Sequence, residues 1–149
     1  MCSVGTGGTI AGVSKYLKQQ SAQVQVVLLD CIGSALYNFI TTGVATMSEG
    51  SSITEGIGNS RITDNLADAS IDWALQVSDQ DMVTMVHRLL REEGWLFGSS
   101  TGVNVCGAVE VARKLGPGHR IVTMLCDGGA KYRSSLFNLE WLLEKGLHG

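Results

Sequence analysis

Gly5-Thr6-Gly7-Gly8-Thr9 stands between a short apolar lead, Met1-Cys2-Ser3-Val4, and a run in which Ile10, Val13 and Leu17 recur at helical spacing. A glycine-rich turn that opens a helix gathers backbone N–H groups at one point. The first N–H groups of a helix have no acceptor within it, and the helix dipole is positive there, so such a turn suits an anion. The two threonines add hydroxyl donors. A phosphate-holding turn ordinarily follows a full strand, and only residues 1–4 precede this one, so the sequence predicts a chain that starts inside a fold.

Beyond the helix expected over Thr9 to about Gln19, Val24 to Leu29 is a short apolar, β-branched run ending at Asp30 and predicts a buried strand. Gly33 to Thr42, with Leu36, Phe39 and Ile40, predicts a helix closed at Gly43. Ser48 to Asn65 is rich in Gly, Ser, Thr and Asn, and a loop of that length is usually functional. Ser78 with Asp81 forms an N-cap signature before a helix over Asp79 to Glu93, with Met82, Met85, Val86, Leu89 and Leu90 on its apolar face and Gly94 as its stop. Trp95-Leu96-Phe97 reads as a short strand running into Gly98-Ser99-Ser100-Thr101-Gly102 and a helix with Val105, Val109 and Ala112. Ile121 to Cys126 reads as a continuous apolar strand before Asp127-Gly128-Gly129, and a last helical stretch carries Leu136, Trp141, Leu142 and Leu143. Strands alternating with helices argue for an α/β fold, a mainly parallel sheet flanked by helices, in one domain over residues 1–149.

Composition removes several classes of function. The net charge is −3 with no Lys/Arg run, so the basic footprint of nucleic-acid binding is missing. No apolar run approaches membrane-spanning length. Cys2, Cys31, Cys106 and Cys126 form no CxxC pair, and His87, His119 and His148 are scattered, so no metal-site spacing exists. Reduced thiols in a cytoplasmic protein are the simplest reading. His87 is expected to be a partly exposed surface histidine, Cys126 a small core residue, and the methionines and tryptophans core residues. No Ser/His/Asp set or carboxylate pair stands out.

The residues alone leave the glycine turn open to three readings. It lacks the Gly-Lys-Ser/Thr ending of a nucleotide P-loop. A dinucleotide reading has Gly5-x-Gly7 opening a helix and Asp30 at the distance of a ribose contact, but Ile10 stands where the third glycine would fall. A phosphate cradle of another kind and a tight turn without ligand are the others. Gly98 to Gly102 lies where strand-to-helix turns line ligand crevices, although Ser100 or Thr101 could equally be only a helix N-cap. Glu55-Gly56-Ile57-Gly58 suits a close backbone approach. Asp127 fits either a polar site residue or a turn cap.

Taken in order, these segments resemble the cysteine synthase and cystathionine β-synthase family of pyridoxal-phosphate enzymes. The matching blocks are Gly5 to Gly12, Glu55 to Gly58, Glu92-Glu93-Gly94 leading to Gly98 through Gly102, and Leu125 to Gly129 before Tyr132. The likeness spans nearly the whole chain but covers roughly the C-terminal half of a family member. It implies most of the larger domain of a two-domain enzyme, with pyridoxal 5'-phosphate as cofactor. Gly5, Thr6, Gly7, Gly8 and Thr9 would hold the phosphate, Ser100 would hydrogen-bond the pyridine nitrogen, and Gly56 would lie against cofactor and substrate. The implied reaction is β-replacement on a serine derivative, O-acetylserine plus sulfide giving cysteine, with a cystathionine β-synthase-like activity or a non-catalytic phosphate-binding module as alternatives. The implied partners are an amino-acid substrate and sulfide or a thiol, with a homodimer in the full-length protein and no nucleic acid or membrane. The family's Schiff-base lysine lies upstream of the glycine turn. Lys15, Lys18, Lys114, Lys131 and Lys145 stand in none of its expected context, so no catalytic residue is expected in this chain, and the chain alone is expected to be inactive.

Overall fold

A computed structural model describes residues 1–149. Its centre is a three-stranded parallel sheet of order β1-β2-β3, made of β1 (Cys2–Ser3), β2 (Val27–Cys31) and β3 (Trp73–Val77). The helices are α1 (Gly8–Gln20), α2 (Leu36–Thr42), α3 (Asp64–Ala67), α4 (Asp79–Glu93), α5 (Ser99–Leu115) and α6 (Leu139–Glu144), with a 3-10 turn at Gly129–Tyr132. Every residue of β2 is buried, as a central strand covered on both faces requires. Its alternating side chains feed two cores. Val27 and Leu29 pack with Met82, Val83 and Val86 of α4, Val103 and Val111 of α5, and Leu142 of α6. Leu28 packs on the other face with Ile10 of α1, Leu36 of α2 and Leu66 of α3.

α4 forms as its sequence dictates. The Ser78 hydroxyl accepts from Asp81 N–H at 3.1 Å, two acids sit in the first turn, and Gly94 closes the helix in the left-handed region. α2 likewise ends at Gly43. The long segment before α3 stays irregular and is tied down rather than free. Gly58 N–H donates to the Val4 carbonyl at 2.8 Å, Ile53 N–H to Asp79 Oδ2 at 2.8 Å, and Asn59 N–H to the Ser34 hydroxyl at 3.0 Å.

Several expectations fail locally. The strand expected over Val24 to Leu29 forms over Val27–Cys31, because its register is set by pairing with β3, an edge strand whose mixed Trp-Ala-Leu-Gln-Val run carries no strong sequence signal. In α1 the inward face runs through Ile10, Ala11 and Ser14, and Val13 is exposed. The Ser14 hydroxyl is satisfied inside, donating to the Ala11 carbonyl and accepting from Ser70 N–H. α5 turns Val103, Asn104, Gly107 and Val111 inward instead of Val105, Val109 and Ala112. Trp95-Leu96-Phe97 contributes only a bridge between Phe97 and Gly128, and Ile121 to Cys126 joins no ladder. Cys126 is exposed, not core, and so are Met47, Met124 and Trp95, whereas Met82 is core. His87, by contrast, is partly exposed as expected, with its ring nitrogen 2.7 Å from the Leu136 carbonyl oxygen.

Candidate functional site

The turn between β1 and α1 opens onto a cleft of about 580 Å³. Its geometry follows from the glycines. Gly7 takes φ +86°, and a Cβ there would stand 2.8 Å from Leu66 of α3. A Cβ on Gly5 would stand 2.5 Å from the Gly56 carbonyl oxygen, so the two backbones meet directly, as the Glu55-Gly56-Ile57-Gly58 segment leads one to expect. The Thr63 hydroxyl donates to the Thr6 carbonyl at 2.6 Å and holds the turn from beneath.

The result is an uncapped helix N-terminus. No side chain caps α1, and its first turn holds no acid. The first helical bond runs from Ala11 N–H to the Gly7 carbonyl, and none of the N–H groups of residues 5 to 10 donates to an acceptor in the chain. Thr6, Gly8 and Thr9 are exposed beside them. Unpaired donors, helix dipole and free hydroxyls together form an anion cradle.

The opposite wall comes from the start of α5 and the turn after residue 126. Ser100, Cys126, Asp127, Lys131 and Tyr132 line the same cleft as Gly5 to Thr9 and Gly56, so every residue expected to hold the cofactor reaches one cavity. Gly98 is the N-cap of α5, and neither Ser100 nor Thr101 caps it. The Thr101 hydroxyl accepts from Cys126 N–H at 2.8 Å, and Gly98 N–H donates to the Asp127 carbonyl at 3.0 Å, which seats the second turn on the helix end. The Ser100 hydroxyl donates to Asp127 Oδ1 over a long 3.4 Å and so keeps capacity toward the cleft.

Asp127, Lys131 and Tyr132 form a network that the motif reading placed only in outline. The Tyr132 hydroxyl donates to Asp127 Oδ2 at 3.0 Å, and Lys131 Nζ pairs with the same oxygen at 2.5 Å. Partial burial pushes the Asp127 carboxyl upward, but the Lys131 and Tyr132 hydrogen bonds outweigh it and hold the group below the usual carboxylate range. The same contacts raise the Lys131 ammonium above its ordinary value. The signal for this network was Asp127 at the end of an apolar run, with Lys131 four residues on.

Asp30 is not in the cleft. It is fully buried, and its Oδ2 accepts from Tyr37 N–H at 2.8 Å at the start of α2, so the ribose contact of a dinucleotide site has no basis here. Lys131 is the lysine that lines the cleft. Lys15 and Lys18 pair with Asp68 and Asp72, while Lys114 and Lys145 lie over Trp73 and Trp141.

A family model described as pyridoxal-phosphate dependent enzyme matches residues 1–127. The chain belongs to this family. The pyridoxal-phosphate dependent enzymes similar to it include cysteine synthase 1 of Emericella nidulans, 48% identical over 98% of the chain and 40% of that protein. Cysteine synthase 1 of Neurospora crassa is 47% identical over 99% of the chain and 40% of that protein. Among solved structures, an O-acetylserine dependent cystathionine β-synthase from Helicobacter pylori superposes with TM-score 0.77 at 28% identity, covering 89% of the chain and 41% of its own. The chain thus spans about 40% of the length of the curated relatives it matches. The α/β architecture agrees with the family, and the cradle fits the phosphate of a pyridoxal-phosphate cofactor: its donors are unpaired, and it has no acid in the first turn of α1 to repel an anion. No helix is long and apolar enough to cross a membrane.

Proposed function

We propose that this chain forms the phosphate and ring side of the cofactor site in a cysteine synthase-like enzyme, one that carries out β-replacement on a serine derivative, O-acetylserine plus sulfide giving cysteine. The observation that carries the reading is the convergence of Gly5, Thr6, Gly7, Gly8, Thr9, Gly56 and Ser100 on one cleft at the uncapped end of α1. Bound pyridoxal phosphate supplies the electron sink that lets an amino acid lose its α-proton and β-leaving group. The N–H groups of residues 5 to 10 and the Thr6 and Thr9 hydroxyls hold the phosphate. Gly56 leaves room beside it, and the Ser100 hydroxyl meets the ring nitrogen. Ser100 is a neutral group, and the carboxylate within its reach is already compensated by Lys131. Lys131 is held as an ammonium paired with Asp127, which disfavours its attack on an aldehyde.

The sequence similarity to the cysteine synthases supports sulfide as the acceptor. A second reading, capture of a larger thiol, is favoured by the superposition on the cystathionine β-synthase. The same reading makes residues 1–149 most of the larger domain of a two-domain cytoplasmic homodimer, consistent with four cysteines that form no disulfide.

Calorimetric titration of the chain with pyridoxal phosphate and with pyridoxal tests the proposal. Binding that depends on the phosphate, with no lysine-linked visible absorbance, is expected. Equal affinity for both compounds removes the cradle from the account, and a stable lysine-linked band removes the assignment of Lys131.

A further inference from the structure

The start of α5 is shaped to receive a carboxylate. Gly98, its N-cap, faces Asp127 and Tyr132: a Cβ there would collide with Tyr132 Cε2 and stand 2.8 Å from Asp127 Oδ1. A side chain at this position would push the carboxylate away from Ser100. Tyr132 is buried and fixes the group from behind, its hydroxyl donating to Asp127 Oδ2 at 3.0 Å. The Lys131 ammonium pairs with the same oxygen and lies 4.9 Å from the centre of the Tyr132 ring. Oδ2 thus takes both strong donors, and Oδ1 is left to the Ser100 hydroxyl at 3.4 Å.

Given the cofactor site proposed above, we propose that Lys131 is a positioning residue: by offsetting the charge of Asp127 it frees the Ser100 hydroxyl proton to point at the pyridine nitrogen. An ionised carboxylate only accepts, and the Lys131 and Tyr132 bonds hold Asp127 ionised, so the one hydrogen between Ser100 and Asp127 is the serine's. That hydrogen has two destinations. Turned to Asp127, it leaves only lone pairs toward the cleft, and a nitrogen there must bring its own proton to be bonded. Turned into the cleft, it bonds an unprotonated nitrogen and leaves serine lone pairs facing Oδ1. The second arrangement costs most when the carboxylate carries its full charge. Lys131 opposes that charge from the far oxygen, and 3.4 Å is long for a hydroxyl on a carboxylate. The other titratable side chains lining the cleft, Glu55 and Cys126, make no hydrogen bond to Ser100.

NMR of bound pyridoxal phosphate, labelled with nitrogen-15 in its ring, tests the proposal, because the shift of that nucleus reports its protonation directly. Wild type, Lys131→Met and Lys131→Arg are compared at saturating cofactor over a range of pH, each with Ser100 and with Ser100→Ala. Lys131 is largely exposed, so K131M is expected to stay folded. K131M is expected to favour the protonated nitrogen by about tenfold over wild type, the scale of losing a partner charge. K131R keeps the charge and is expected to stay within about twofold of wild type. In the S100A background the K131M effect is expected to shrink to about twofold or less, since the route through the hydroxyl is gone.

A nitrogen that K131M leaves unmoved overturns the proposal, and so does a K131R shift as large as that of K131M. A full-sized K131M effect in S100A assigns the shift to the direct field of Asp127 and also overturns it. Failure of the underlying site reads differently: wild type would then bind pyridoxal as tightly as pyridoxal phosphate, and the role of Lys131 falls with the site. Phosphate-dependent binding with an unmoved nitrogen removes the role of Lys131 alone.

Discussion

Replacing Gly8 by aspartate places a carboxylate on the first residue of α1, where a Cβ would meet only Asn65 Nδ2 at 3.7 Å and the backbone is not left-handed. For the fold the change is favourable. An acid in the first turn interacts with the helix dipole by about 0.3–1 kcal/mol, and α1 has none of its own. For an anion in the cradle it is unfavourable. A phosphate of roughly two charges about 5 Å from the new carboxylate is repelled by about 1.7 kcal/mol even at the dielectric of water, which is about fifteenfold in affinity. A less polar cleft increases that figure. Thermal denaturation and calorimetry with pyridoxal phosphate, on the wild-type chain and on Gly8→Asp, give both quantities. The expected pair is a melting temperature equal to or above wild type with binding weakened by at least that factor. Affinity within about twofold of wild type, in a folded variant, would refute the placement of the phosphate at this helix end.

Asp30 carries a pH prediction. Burial raises its carboxyl above the ordinary value, against the opposing hydrogen bonds from Tyr37 and Ser34, and its Oδ1 has no partner. A raised folded-state value means that its contribution to stability is fully present below the unfolded carboxylate value and is lost as pH rises through the folded one. Asp30→Asn is therefore expected to gain stability relative to wild type as pH rises from the acid range toward neutrality, and urea titrations at several pH values check the slope. Leu29→Ala empties the centre of β2 and should cost about 2–5 kcal/mol by the same titration, with a much smaller loss counting against a tightly packed core. Ser78→Ala removes the cap of α4 and should cost about 0.5–2 kcal/mol without changing cofactor affinity.

Where local chemistry decides structure, the chain could be read directly. α4 is legible because its cap, its first-turn acids, its apolar period and its terminal glycine all specify one helix. The glycine turn is legible for a similar reason: glycine readily takes the left-handed conformation that Gly7 adopts before α1, and with no capping side chain the first N–H groups of the helix stay free. β3 was missed because an edge strand needs no continuous apolar run, and its pairing with β2 supplies what its sequence lacks. The inward faces of α1 and α5 were misplaced because Val13 and Ser14, or Val105 and Asn104, exchange roles when a polar side chain finds a buried partner. Cys126 was read as core because its run is apolar, and it is exposed because nothing in the chain covers that edge.

Sequence alone pointed to the α/β class and to a glycine turn suited to an anion at residues 5 to 9, since both rest on periodicity, backbone freedom and donor chemistry within a few neighbouring residues, whereas Gly56 and Ser100 entered as cofactor contacts only through the family resemblance. Only the tertiary structure decided that these segments share a cleft, that Asp30 lies outside it, and that Asp127, Lys131 and Tyr132 close its far wall. Those facts depend on strand register and on how α5 seats against residues 126–128. Such contacts join residues far apart in the chain, and local propensity does not encode them.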